Sequence, residues 1–190
     1  MLIERDREKL LHALVFFSKN VRHAGKTKLF KLLNFLDFLH FQKTGRSVTG
    51  QQYYAWKMGP VPKALNNEWD EPTPEFNQHF VKGSTTFPGG RTRQTLTPRV
   101  EFNEDLFSPF ELSLMQALAK RHFNDTAQDV SELSHFETGP WHEVWEVQGD
   151  RQAEIPYELV LLRRGAKEDM ELLEIAKEYE AIRENYKRHQ

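Results

Sequence analysis

Residues 26–42 read KTKLFKLLNFLDFLHFQ, and how this stretch is read decides the fold. Leu29, Leu32, Leu33, Leu36 and Leu39 recur at steps of three and four, so they line one face of a helix. Phe30, Phe35, Phe38 and Phe41 widen that face almost all the way round. A helix apolar on most sides has to be enclosed by other elements, so 26–42 is expected as a buried central helix. Gly45 ends it, because glycine readily takes the left-handed backbone of a helix C-terminus. Two polar residues interrupt the apolar surface, Asp37 and His40. A buried polar side chain costs about 1–3 kcal/mol unless it is hydrogen-bonded. Asp37 is therefore read as an internal support that accepts hydrogen bonds from a nearby turn or aromatic N–H. A catalytic role is the alternative.

Outward from that helix, 4–20 carries Leu10, Leu11, Leu14, Val15 and Phe17 at helical spacing, and 20–25 breaks the pattern. Residues 47–56, SVTGQQYYAW, read as a short strand followed by a helical turn. Met58-Gly59-Pro60-Val61-Pro62 reads as a turn, with Pro62 opening a helix over 62–70. The stretch 71–100 holds Pro72, Pro74, Gly83, Pro88, Gly89, Gly90 and Pro98. A small β-hairpin pairing 78–82 with 92–97 is its simplest account. Ser108-Pro109-Phe110-Glu111 is a capping box that opens a helix to 123. Asn124-Asp125-Thr126 stops it and caps the next, 126–137, with Gln128 three past Asp125; Gly139-Pro140 ends that one. A short helical run follows over 157–164. Residues 167–189 fit a charged helix with Leu172, Leu173, Ile175, Ala176, Tyr179 and Ile182 on one side. The expected class is α+β, predominantly helical, with a small antiparallel hairpin. Helices 4–20, 108–123 and 126–137 should enclose the central one. One domain, 1–165, is expected, with 166–190 as a helical tail packed on it or extending from it.

Composition narrows the function. The 190 residues include no cysteine and carry a formal net charge of −2. Disulfides, thiol catalysis and cysteine zinc sites are excluded, and a reducing compartment suits the chain. The near-neutral total gives no general attraction for nucleic acid or an acidic membrane. The opening MLIERDREKL has charges where a secretory signal needs an apolar run, and no apolar stretch is long enough to span a membrane. A cytoplasmic location is expected. Fourteen phenylalanines argue for a real core.

No nucleophile elbow, phosphate loop, dinucleotide fingerprint or H-E-x-x-H occurs. No catalytic residue, metal site or cofactor is expected, and the chain is read as a binding protein rather than an enzyme. His135, Glu137 and His142 are near in sequence, but Gly139-Pro140 lies between them and prevents one helix face from presenting both histidines. Glu143 and Glu146 read as solvated. Lys26, Lys28 and Lys31, with Arg22, form either a basic stripe or the solvent edge of the central helix, their stems covering apolar neighbours. Arg91, Arg93 and Arg99 in the hairpin read as guards of a sheet edge. Direct DNA contact is the less favoured reading of both groups. Trp56, ahead of the Gly59-Pro60 turn, is either a core anchor or part of a surface groove.

Taken together, Lys28-Leu29-x-Lys31-Leu32-Leu33-x-Phe35-Leu36-Asp37, then Gly45, then Tyr53-x-Ala55-Trp56-x-x-Gly59-Pro60-Val61 resembles the Panacea domain family, the SocA-like or phage-associated GepA-like proteins. Leu133-Ser134-His135 followed by Gly139-Pro140-Trp141, and Ile155-Pro156 with its short helix, resemble later stretches of the same family. The likeness covers roughly 10–165; the hairpin-like insertion in 71–100 and the tail depart from it. The resemblance implies an antitoxin that neutralises a protein toxin encoded by a neighbouring gene, with toxins of many folds as partners. One relative instead delivers its client to a Clp-type protease, so an adaptor using the tail from 166 is the alternative. DNA binding would serve only autoregulation. Toxin-binding candidates are Tyr53, Tyr54, Trp56, Met58, Pro60, Val61, Trp141 and Trp145, each of which could equally be core. Asp37 and His135 are read as internal supports.

Overall fold

Two long helices open the chain, α1 (Leu2–Asn20) and α2 (Lys26–Thr44). The structure, a computed structural model, describes residues 2–90, 92–135 and 139–161. Leu29, Leu32, Leu33 and Leu36 of α2 are buried against Leu10, Leu11, Leu14 and Phe17 of α1 in one continuous core. Full burial of each such side chain contributes about 1.5–3 kcal/mol, so this contact dominates the local energetics. Leu39 departs from the expectation for its face. It is 40% exposed and lines the cleft described below, whereas its neighbours His40 and Phe41 are covered by Phe110 and Tyr157. Gly45 has φ 69° and donates its N–H to the Phe41 carbonyl, which closes the helix.

The segment after α2 is a hairpin of β1 (Tyr53–Trp56) and β2 (Gly59–Pro62), paired antiparallel from Tyr53↔Pro62 to Trp56↔Gly59. This corrects both the helical turn expected after the first strand and the turn expected over 58–62. The reversal is only Lys57-Met58, and Gly59 makes it possible by adopting φ 94°. Two prolines in one strand conceal it from pattern reading, yet prolines are tolerated where a strand lies at a sheet edge. On its other side β1 meets an extended segment. Ala55 N–H donates to the Ala153 carbonyl at 2.8 Å and Ile155 N–H to the Tyr53 carbonyl at 2.7 Å.

Helix α3 (Lys63–Asp70) starts one residue later than expected, with Pro62 as its cap. Helix α4 (Pro74–His79) lies inside the stretch read as loop and hairpin. The Thr73 hydroxyl accepts from Phe76 N–H, Pro74 fills the first turn, and Phe76 is buried. The hairpin that follows is longer than expected: β3 (Phe80–Thr86) pairs with β4 (Thr92–Pro98). Its first residues, 78 and 79, belong instead to α4.

Helix α5 (Pro109–Arg121) has the Ser108/Glu111 capping box and ends two residues early. Helix α6 (Ala127–Ser134) is capped by Thr126 with Asp129, not by Asp125 with Gln128. Asp125 is occupied elsewhere, since its carboxylate pairs with His122 at 2.8 Å. Pro140 opens a new short helix, α7 (Pro140–His142), that widens into a π-helical turn over Glu143–Val147. A 3₁₀ turn, Tyr157–Val160, packs back on α2 through Tyr157, whose ring lies 4.5 Å from Phe38 and 5.1 Å from Phe41. The architecture is mostly helical with two small antiparallel pairs, the α+β class expected. Helices α1, α5 and α6 all pack on α2, as expected of its neighbours. Arg91, Glu137, the end of the run 157–164 and the tail 166–190 lie outside the described residues.

Candidate partner-binding site

The site is organised from α2. Asp37 is wholly buried, and four donors converge on it. One oxygen accepts from Val48 N–H at 2.9 Å and Thr49 N–H at 2.8 Å; the other accepts from the Thr49 hydroxyl at 2.5 Å and the Tyr53 hydroxyl at 2.7 Å. These bonds fix the 48–49 turn and the first residue of β1, and so aim the hairpin. Burial pushes the Asp37 carboxyl up to about 6, against the opposing pull of its donors. Burial and the adjacent Asp37 push the Tyr53 hydroxyl well above its ordinary range.

Lys28 and Lys31 overturn the stripe reading and the solvent-edge reading alike: they are 0% and 1% exposed. Lys28 Nζ donates to three carbonyls, of Arg22, His122 and Asp125, at 2.6–2.7 Å. Only Lys26 of the three reaches the surface, where it pairs with Asp70 at 2.9 Å. Lys31 Nζ donates to one carbonyl, that of Pro60 in β2, at 2.9 Å. Burial lowers the Lys31 ammonium to about 7.

Gly59 is the reason Lys31 can reach the hairpin. A Cβ there would lie 2.4 Å from Lys31 Nζ, 2.6 Å from Ser134 Oγ and 3.0 Å from His135 Nε2. Three polar side chains therefore crowd the space that glycine leaves. Burial, and then the nearby Lys31 charge, lower the His135 imidazole. Its ring stacks on Trp141 at 4.1 Å, and Trp141 stacks on Trp145 at 5.6 Å. Trp141 Nε1 donates to the Trp56 carbonyl at 2.9 Å, which ties the stack to the end of β1.

The eight candidate residues therefore divide. Tyr53, Pro60 and Trp141 are interior. Tyr54, Trp56, Val61 and Trp145 are half-buried. Met58, at the tip, is 60% exposed. The Lys63 ammonium sits 5.1 Å over the Tyr54 ring and the Arg151 guanidinium 5.2 Å over Trp145. The aromatic surface is thus fringed by cations. Beside it, between α2 and Pro140-Trp141, lies a cleft of about 460 Å³.

Sequence reasoning missed Lys28, Lys31, Asn34, Gly59 and Ser134 as parts of this region. The signal was present for the lysines, since a helix apolar on most sides leaves its cations no face for water. Gly59 and Ser134 stand within the stretches that carry the family resemblance, but their contacts come from distant segments. Among the described residues no group of three or more His, Asp or Glu stands where it could hold a metal ion, and no helix is long and apolar enough to cross a membrane.

No curated protein and no solved structure matches the chain. Residues 29–142, which hold nearly all of α2, the β1–β2 hairpin, α5, α6 and the Trp141 stack, match the family described as Antitoxin SocA-like, Panacea domain, and the chain belongs to that family.

Proposed function

We propose that this protein neutralises a cognate protein toxin by direct protein–protein binding, covering the toxin's active surface or holding it inert. The observation that carries the reading is the family itself, which is described as antitoxin-like and supports a non-enzymatic role and a toxin partner in general. The contact surface we assign is the β1–β2 tip with its flank: Met58 exposed, and Tyr54, Trp56 and Trp145 half-buried beside it. Aromatic and methionine side chains on a stiff support suit such a role, because they bring large contact area with little entropy to lose. The support here is main-chain bonding on both sides of β1, with the Lys31 and Trp141 bonds from below. A stable occluding interface buries about 1,200–2,000 Å² in total, so the tip would be the centre of a larger footprint.

The test is co-expression with the adjacent open reading frame. Induced alone, the neighbour should arrest growth; with this protein, growth should recover and the two should co-purify. Met58→Ala together with Trp145→Ala should weaken rescue while leaving the folded state intact. A neighbour that is harmless alone, or that arrests growth regardless, removes the reading.

A further inference from the structure

We propose that the cleft between the β3–β4 hairpin and the start of α2 is a nucleotide site, in which the Arg93 guanidinium, the His23 imidazole and the first N–H groups of α2 take the phosphates. This cleft shares no lining residue with the β1–β2 tip, and the proposal stands independently of the partner-binding reading.

Arg93 is half-buried on the wall of this cleft, and its partners do not answer its charge. A guanidinium carries five N–H donors. Nη1 donates to His23 Nδ1 at 3.0 Å, while Nε is buried and has no partner. Among the described residues no carboxylate pairs with Arg93. Arg7, also half-buried, makes the contrast, held by Glu68 at 2.6 Å and Glu75 at 2.8 Å. Drawing a cation out of water is costly unless an anion answers it. Arg91, the adjoining residue outside the described ones, is a cation by sequence and brings no anion of its own. Because a guanidinium only donates, His23 Nδ1 is the acceptor, and the imidazole keeps its N–H on Nε2 as a second donor.

The backbone favours an anion at the same place. Gly25 holds the N-cap position of α2, where Ser, Thr, Asp or Asn is the usual choice. A Cβ there would meet Arg93 Cγ at 2.7 Å and Cδ at 3.1 Å. Glycine therefore lets the Arg93 stem lie on the end of the helix. It also leaves the first turn with no side-chain cap, and no acidic residue stands in that turn. Uncapped N–H groups and the positive end of the helix dipole suit a phosphate. The other helix start on this wall differs, since Asp129 already caps α6. Lys26 adds less than its charge suggests, because its ammonium pairs with Asp70 at 2.9 Å. The cleft measures about 730 Å³, which is the size of a small-molecule site rather than of a lone anion. Its lining includes Phe87, 40% exposed, with Gln94 and Gln128. These offer an aromatic surface for a base and amides for its polar edge. The formal net charge of −2 gives no general attraction for a long nucleic acid.

The experiment is calorimetric titration of the full chain with ATP, GTP, their diphosphates, inorganic pyrophosphate and a short single-stranded oligonucleotide. Arg93→Met keeps the stem on Gly25 and removes the charge. His23→Asn removes the imidazole but tolerates the left-handed backbone at that position, φ 57°. Phe87→Ala removes an exposed ring. Thermal melts of each variant separate lost binding from lost folding. Expected is nucleotide binding to the wild type, weaker by about tenfold in Arg93→Met and about threefold in His23→Asn. Phe87→Ala should weaken the nucleotides and leave pyrophosphate unchanged. No binding of any nucleotide overturns the proposal, as does equal affinity in the wild type and in folded Arg93→Met and His23→Asn. Pyrophosphate bound as tightly as the nucleotides, with Phe87→Ala without effect, overturns it by leaving only an anion site. The oligonucleotide bound more tightly than any nucleotide overturns it by making the cleft a nucleic-acid groove.

Discussion

Early in α2 two ammonium groups reach outward to main-chain carbonyls; further along the same helix one carboxylate gathers main-chain N–H and side-chain hydroxyl groups. Asp37 has four donors on two oxygens, and Lys28 has three acceptors. Lys31 has one. All three charges have left water, but only the first two recover a full set of partners. Well-partnered buried charges pin loops in place. A buried charge with one partner holds its loop weakly, and its protonation is correspondingly easier to change. The hairpin that Lys31 holds is also the one we propose as the contact surface.

The comparison can be broken most severely at Asp37. Asp37→Ala strands four buried donors and should lower unfolding free energy by about 3–5 kcal/mol, read by urea denaturation, with Asp37→Asn less damaged. A loss below about 1 kcal/mol would mean the network does not hold the 48–49 turn. Next comes Gly59→Ala, which meets Lys31 and Ser134 at contact distances no Cβ can keep, at a φ of 94°. We expect a loss of about 3 kcal/mol, seen as a Tm lower by roughly 6–12 °C. Lys28→Met leaves three carbonyls short of a donor and should cost about 2 kcal/mol. Lys31→Met should cost about 1 kcal/mol or less, because removing a sparsely partnered buried charge offsets the lost bond. If Lys31→Met proves as damaging as Lys28→Met, the contrast between them fails.

The finest test is pH. The folded Asp37 carboxyl is raised from 3.8 to about 6, so between those values the folded state holds a proton the unfolded chain has released. Stability contributed by that protonation is present below about 4 and is lost as pH rises through 6. Lys31 is lowered from 10.5 to about 7, so the unfolded chain binds the extra proton between those values. Stability therefore rises with pH from about 7 toward 10. A shallow minimum near neutrality should result. Asp37→Asn should flatten its acid side and Lys31→Met its alkaline side.

Much of this frame is legible from sequence because it is local. The α2 periodicity, Gly45 and the Ser108 box each declare themselves within a few residues. Other features depend on distant partners. β2 is hidden by its prolines, and its pairing becomes visible only when Trp56 is set opposite Gly59. Helix α4 did carry a sign, the Thr73-Pro74 start, but neighbouring prolines and glycines masked it. Asp37 among leucines signals a buried acceptor, yet its donors arrive from 11 to 16 residues away. Lys28 and Lys31 look like surface residues until the carbonyls that receive them are known.

The two-residue reversal at Lys57-Met58 has a consequence for how such a protein can change over generations. Its shape is set by Gly59, by the Pro60 and Trp56 carbonyls, and by groups reaching them from α2 and α7. The side chains of Lys57 and Met58 are both exposed. Residues at these two positions can be exchanged with little consequence for folding, so the tip behaves as a replaceable cassette on a fixed mount. A lineage could meet a new partner by rewriting it while the helices beneath stay as they are.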